Sequence, residues 1–228
     1  MQKLQFIFLL GGFTFFVQPV FGQINIDLGA RGGFSLNGVS INGQVDTSST
    51  TTLFTGSVDF ALEIGLGERF AIQPEIGFTQ KGYRLGQDEV LLGENFYSEK
   101  LTYRTIPILL KYAFQVEEKG KISLLLGPSF NTLTRAVEEI NLFGVEETID
   151  HDLTEESAYR VSTVGFIVGI GTKAHFEKIP GSFLADLRFV GATAPYKEIE
   201  SSPENLTFSN YSFNVSIGYM IPLYDSGR

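Results

Sequence analysis

The chain has 228 residues, with 17 Lys and Arg against 26 Asp and Glu and no cysteine. An acidic balance with no basic stripe excludes ordinary nucleic-acid binding. The missing thiols exclude disulfides, zinc–thiolate centres, a cysteine nucleophile and a lipid-bearing N-terminal cysteine.

The first element is "MQKLQFIFLLGGFTFFVQPVFGQ". Lys3 precedes an apolar run from Leu4 to Val17, and Val20 and Gly22 supply small residues at the −3 and −1 positions of a cleavage site. This reads as a secretory signal peptide; a spanning helix needs about 20 apolar residues. The expected division is residues 1–22 as signal and 23–228 as one β-barrel domain. Removing Lys3 takes away one of the 17 bases and none of the 26 acids, so the rest carries −10. No later apolar run is long enough to cross a membrane as a helix.

From residue 24 onward, apolar and polar residues alternate with period 2, the mark of half-buried strands. Strands are predicted near 24–36, 53–65, 70–84, 101–114, 121–134, 159–176, 183–194 and 210–223. Each meets or slightly exceeds the 9–11 residues a tilted strand needs to cross a bilayer. In the second, Phe54, Val58, Phe60, Leu62 and Ile64 share one face, and Thr55, Ser57, Asp59, Ala61 and Glu63 the other. Short connections at 66–69, 115–120 and 177–182 alternate with long polar ones at 37–52, 85–100, 135–158 and 195–209. Short turns on one side and long loops on the other are the pattern of an outer-membrane barrel. The predicted fold is all-β, an eight-stranded antiparallel up-and-down transmembrane β-barrel in the cell outer membrane.

The fourth strand holds "YRTIPILLKYAF" (103–114), with Pro107 and Lys111 inside an apolar run. Lysine suits the polar interior of a small membrane barrel. A closed barrel has no edge strand to accept the proline, so Pro107 costs a ladder bond or marks a bulge, and a bulge is the expectation.

Two stretches carry a family resemblance. "FAIQPEIGFTQKGYR" (70–84), a long connection and then "LTYRTIPILLKYAF" (101–114) resemble the small outer-membrane barrels of the PorT-like family, which show Q-P-E, a following K-G, and then Y-x-x-I-P-x-L-x-K-Y. "LLGPSF" (125–130) and "INIDLGARGGFSLNG" (24–38) are similar to its next strand and its Gly-rich first strand. The resemblance implies an eight-stranded barrel in a Gram-negative outer membrane. Some members are linked to secretion and gliding, and it implies no catalytic residue.

Parity places Asp27, Asp59, Glu63, Glu75 and Asp186 inside, with Arg31, Lys81, Lys111, Lys173 and Arg188. Five acids against five bases suggest a paired structural lumen network that plugs the barrel. Aligning Phe70 with Phe114 predicts a Glu75–Lys111 ion pair with Asp59 nearby.

Other chemistry is thin. "GIGTKA" (169–174) has the form of a dinucleotide fingerprint but lies within a strand, with Gly165, Gly169 and Gly171 on the inner face. His151 is the one histidine near the long-loop side, and no partner for a Ser-His-acid set is identifiable. Residues 135–158 carry eight carboxylates and one base, Arg135. They read as a mobile, self-repelling loop, with divalent cations as a candidate partner. No cofactor or catalytic residue is expected, and outer-membrane lipid is the expected surrounding. A barrel-type lipid-modifying enzyme and a secreted lipocalin-like ligand-binding barrel are the alternatives. The leading reading is an integral barrel with a closed lumen, presenting four extracellular loops in a structural, adhesion or secretion-associated role.

Overall fold

The computed structural model describes residues 24–42, 50–89, 93–117, 120–142, 144–153, 158–176, 179–199 and 206–226. The signal-peptide assignment for residues 1–22 lies outside them. The strands are β1 (Ile24–Asn42), β2 (Thr50–Leu66), β3 (Phe70–Glu89), β4 (Gly93–Glu117), β5 (Gly120–Leu142), β6 (Val145–His151), β7 (Ser162–His175), β8 (Ser182–Ala192), β9 (Lys197–Ile199) and β10 (Leu206–Asp225). β1, β2, β3, β4, β5, β7, β8 and β10 pair in that order, and β10 returns to β1 along Asn25↔Asp225 to Asn42↔Thr207. The expected eight-stranded antiparallel barrel is the fold observed. Closure leaves the ring without an edge, the liability of any open sheet.

Two short strands stand outside the ring: β6 pairs β5, and β9 pairs β10. Several wall strands outrun their predicted lengths. β4 has 25 residues and β5 has 23, so much of the expected loops at 37–52, 85–100 and 135–158 is strand. Beyond the lipid zone the outward residues turn polar while the ladder hydrogen bonds continue, so an apolar pattern ends before the strand does. Within the expected loop 135–158, residues 135–142 and 145–151 are strand. Their core is a β5–β6 hairpin registered from Ala136↔His151 to Leu142↔Val145, turning at Gly144 with φ +81°. Its charges are partly paired, Arg135 with Asp150 at 2.8 Å and Lys100 with Glu139 at 2.7 Å. β7 starts at Ser162 rather than 159, because Tyr159 leaves the wall to bridge Lys197.

Pro107 makes no bulge. Pairing breaks off where Glu75–Ile76 face Ile106–Pro107, yet Pro74↔Ile108 and Gly77↔Thr105 share one register. The proline removes ladder bonds without adding a residue. Pro74 does the same on the β2–β3 seam between Ala61↔Glu75 and Ile64↔Ile72, and Pro128 on the β4–β5 seam between Pro107↔Ser129 and Leu110↔Leu126.

Gly82, of the K-G pair, has φ +153°, and a Cβ there would stand 1.9 Å from the Glu99 carbonyl oxygen. Backbone cannot move aside as a flexible side chain can. Gly82→Ala is therefore expected to cost more than the roughly 1–3 kcal/mol of a strained conformation alone, read as a lower urea midpoint of the refolded barrel.

The outer surface is an apolar belt between two aromatic girdles. At the short-turn end Phe70, Tyr112 and Phe114 form one ring cluster, and Phe176, Phe183 and Tyr219 another. At the other end Phe34 stacks on Phe54 at 5.1 Å, and Phe189 touches Phe166 and Phe213. Between them Phe60, Phe78, Ile108, Leu187 and Ile217 are exposed. Paired girdles around an apolar band are how transmembrane barrels meet the two interfaces. Charge at the midplane costs about 2–4 kcal/mol in such barrels. Ile108→Arg should therefore reduce the folded fraction in membranes far more than Thr134→Arg, which lies past the upper girdle; heat-modifiable gel mobility reads the difference.

Candidate functional site: the lumen and its extracellular cap

Alternate positions on each strand send the charged residues inward, and the register decides which of them meet. Arg31 of β1 lies opposite Asp59 of β2, with Nε 3.2 Å from its carboxylate. Its Nη atoms reach Glu75 and Asp186, the latter at 3.2 Å. Arg188 approaches from the opposite wall, bonding Glu75 at 2.9 Å and Asp186 at 2.7 Å. Glu75, its side chain fully buried, thus accepts from two guanidinium forks and from the Gln73 amide. Gly77 leaves the space this needs, since a Cβ there would stand 2.0 Å from Asp59 Oδ1.

A second group sits toward the short-turn end. Lys173 joins Asp27 and Glu63, and Lys111 joins Glu63 and the Gln73 carbonyl oxygen at 3.0 Å. These four charges line a cup of about 250 Å³ that opens past Arg69 and Lys121. The expected Glu75–Lys111 pair is not formed. Phe70 faces Tyr112 rather than Phe114, because β4 runs on to Glu117. The slip of two residues keeps every side chain on its face but sets Lys111 opposite Ala71, where it meets Glu63 instead. Lys81 is buried in the lumen, but none of the five acids contacts it; its ammonium lies 5.4 Å from the Tyr103 ring centre.

Above the upper girdle lies a cluster absent from the sequence reading. Tyr83, Leu101, Tyr103, Leu133, Tyr159, Tyr196 and Phe208 pack together. Within them Glu99 is wholly buried and accepts hydrogen bonds from Tyr159 Oη at 2.6 Å, Lys197 Nζ at 2.9 Å and Tyr196 Oη. Lys197 also reaches Glu138 at 2.8 Å. Two segments far apart in sequence, around Tyr159 and around Tyr196–Lys197, are thereby fastened over the mouth. The signal was present: inward parity from Tyr103 and Leu101 continues backward to Glu99 and Tyr97. It went unread because a lone glutamate between polar neighbours looks like a loop.

These groups lie outside the lipid belt, and their ionisation follows from their neighbours. Burial alone would raise the Glu138 carboxyl, but hydrogen bonds from Lys197, Tyr97 and Tyr159 outweigh it and hold the group at about 2. Burial would lower Lys197; Glu99 and Glu138 outweigh it and raise it. Burial and the Glu99 carboxylate push the Tyr159 phenol up, so it stays a donor.

His151, the residue weighed for hydrolysis, lies 3.3 Å from Glu138 and 5.2 Å, ring to ring, from Tyr159. His175 Nδ1 is 2.7 Å from the Gly181 carbonyl oxygen. "GIGTKA" is strand throughout. Among the described residues no three His, Asp or Glu side chains converge as a metal cage.

The sequence profile of the outer membrane protein beta-barrel domain matches residues 18–192. The chain belongs to that family. Its place is accordingly the outer membrane, with the short turns toward the periplasm and the capped end outside. Among solved structures, a major outer membrane protein from Thermus thermophilus has 14% identity and a TM-score of 0.50, covering 88% of this chain and 99% of that one. OprG from Pseudomonas aeruginosa has 12% identity and a TM-score of 0.44, with coverage of 86% and 95%. Ail of Yersinia pestis, solved with the heparin analogue sucrose octasulfate, has 14% identity and a TM-score of 0.38, with coverage of 88% and 99%. The Thermus likeness supports the fold and no more. No curated protein matches the sequence.

Proposed function

We propose that this barrel is a closed, non-conducting anchor that holds an acidic extracellular sheet above the membrane, in a structural, adhesion or secretion-associated role. The observation that carries it is double closure. Five interlocked charges cross the lumen at the Glu75 level, and the aromatic cap with Glu99 at its centre covers the outer mouth. Eight strands enclose an interior that side chains just fill, so a pore is disfavoured. Meanwhile β3, β4 and β5 run beyond the belt and with β6 form an outward sheet edged by Glu146, Glu147 and Asp150. That sheet, with the connections of the sequence reading, is the part offered to the surroundings.

The PorT-like assignment belongs to the same proposal, supported by Gln73–Glu75, Lys81–Gly82 and Ile106–Tyr112. The non-enzymatic reading belongs to the same proposal and is supported by membership of the outer membrane protein beta-barrel domain family. Removal of residues 1–22 on export is likewise proposed, and N-terminal sequencing of the membrane-inserted protein tests it. Reconstituted in planar bilayers, the barrel should give no unitary conductance. Discrete openings in the wild-type protein would refute the anchor reading.

Divalent cations remain the proposed partner of the hairpin, bridging its outward carboxylates to the anionic outer leaflet. Protease cleavage within 142–146 on intact cells should slow with added calcium. Equal cleavage with calcium and with chelator removes the idea.

A further inference from the structure

The upper lumen, between the Glu75 network and the cap, contains a cavity of about 30 Å³ lined by three bases, Lys81, Arg31 and Arg188, by one carboxylate, Asp59, and by Thr105, Asn214 and Ser216 among others. That is room for one or two particles of water size. Lys81 is 6% exposed. The other lumen bases are each held by carboxylates: Arg31 by Asp59, Glu75 and Asp186, Arg188 by Glu75 and Asp186, Lys111 by Glu63, and Lys173 by Asp27 and Glu63. These bonds occupy all five lumen acids. Among the described residues Lys81 has no hydrogen-bonding or ionic partner, only the face of Tyr103. Arg188, which lines the same cavity, leaves its Nε without a partner.

An isolated ammonium is expensive to bury, and the cost falls only when a counter-charge or a full set of hydrogen bonds meets it. The tyrosine ring satisfies one direction of a group with three donors. The Lys81 donors, the unpartnered Arg188 N–H and the rotatable hydroxyls of Thr105 and Ser216 give the cavity a surplus of hydrogen. The Asn214 Oδ1 atom, also unpartnered, adds a donor once its amide is turned over, since oxygen and nitrogen of that group are assigned from their surroundings. A spherical acceptor with a single negative charge satisfies such a set better than a neutral molecule.

We propose that the cavity is a binding site for one small monovalent anion of the halide class, held on Lys81. The cap above and the ion network below deny it an open path. The anion is therefore taken up as the barrel closes and exchanges slowly afterwards.

The test starts from protein unfolded in urea and refolded into detergent with either sodium bromide or sodium gluconate at equal ionic strength. Crystals of the bromide-refolded barrel should show one anomalous peak in contact with Lys81 Nζ. The bromide-refolded protein should also unfold at a higher urea midpoint than the gluconate-refolded protein, with the shift saturating in bromide. Lys81→Met should abolish both the peak and the difference between salts. If Lys81→Met does not refold, the position of the wild-type peak still decides. A cavity with no anomalous density, or filled by water alone, overturns the proposal, as does a salt effect that Lys81→Met retains.

Discussion

Glu75→Gln should lower the urea midpoint of the barrel more than any other single lumen substitution. The carboxylate accepts from both arginine forks and from Gln73 with no exposed side-chain surface. Glutamine keeps the shape but turns an amide N–H toward guanidinium N–H groups and removes the charge between them. Breaking a buried ionic network by deleting one member costs about 3–5 kcal/mol, since the remaining charge is left without compensation. Arg188→Met alone should be costly for the converse reason, as it strips Glu75 and Asp186 of a shared donor. The double substitution should destabilise by less than the sum, with a coupling of about 0.5–3 kcal/mol of the kind contacting residues show. Additive losses would mean that the two residues are not coupled. Lys111→Met is expected to couple directly with Glu63→Gln, and with Glu75→Gln more weakly through Gln73, which bonds both.

Glu99→Gln should open the outer end while leaving the membrane wall intact. Glu99 is the acceptor on which Tyr159, Tyr196 and Lys197 converge. Without its charge Lys197 keeps Glu138 and the Tyr159 hydroxyl, and the segments carrying Tyr159 and Tyr196 lose the carboxylate they share. The expected readout is faster protease cleavage around residues 158–161 on intact cells, with heat-modifiable mobility unchanged. Cleavage at the wild-type rate would show that apolar packing alone holds the cap. The same cluster sets a pH dependence. The Glu138 carboxyl is held at about 2, below its ordinary value near 4.5. Its contribution is therefore complete above the ordinary value and is lost as pH falls through about 2. Lys197 is raised, so its contribution is complete below the ordinary lysine range and is lost only as pH rises through the raised value. Between these limits, across the neutral range, neither Glu138 nor Lys197 changes charge, so neither makes protease protection of the cap depend on pH. Glu138 is partly open to solvent, so the acid-side loss should be modest.

The wall was legible because strand periodicity is local. Phe60, Phe78, Ile108, Phe166, Leu187 and Ile217 point to lipid as their parity requires, and the short turns separate the strands where Gly67 and Gly181 take positive φ. What parity cannot supply is level. It places Glu75 and Lys111 inside, but which acid meets which base depends on how far each strand slides past its neighbour. The slip of Phe70 from Phe114 to Tyr112 redistributes the partners without moving any residue to the other face. Strand ends were misjudged for a related reason. The apolar half of the alternation stops at the lipid boundary, while β3, β4 and β5 pair on into water. The cap was hidden because its members come from β3, β4, β5, β10 and the segments around Tyr159 and Tyr196, which only the closed ring assembles. Pro107 misled in the opposite sense: a missing donor was read as an extra residue, whereas the register passes through it unshifted.

The last seam to close, β1 against β10, bears on how the barrel is made. Its partners are about as far apart in sequence as the chain allows, from Asn25↔Asp225 to Asn42↔Thr207. Contacts of such separation form late, because the entropy of closing the intervening chain must be met first. Arg31 and Asp27 ride on β1, while Asp186 and Lys173, which bond them, sit on β8 and β7 beyond the β1–β10 seam. Until that seam joins, Arg31 keeps Asp59 and Glu75 but lacks Asp186, and Asp27 lacks Lys173, so an unclosed sheet would carry an incompletely paired network toward hydrocarbon. The set of lumen ion pairs is thus complete only in the ring in which the first strand has met the last.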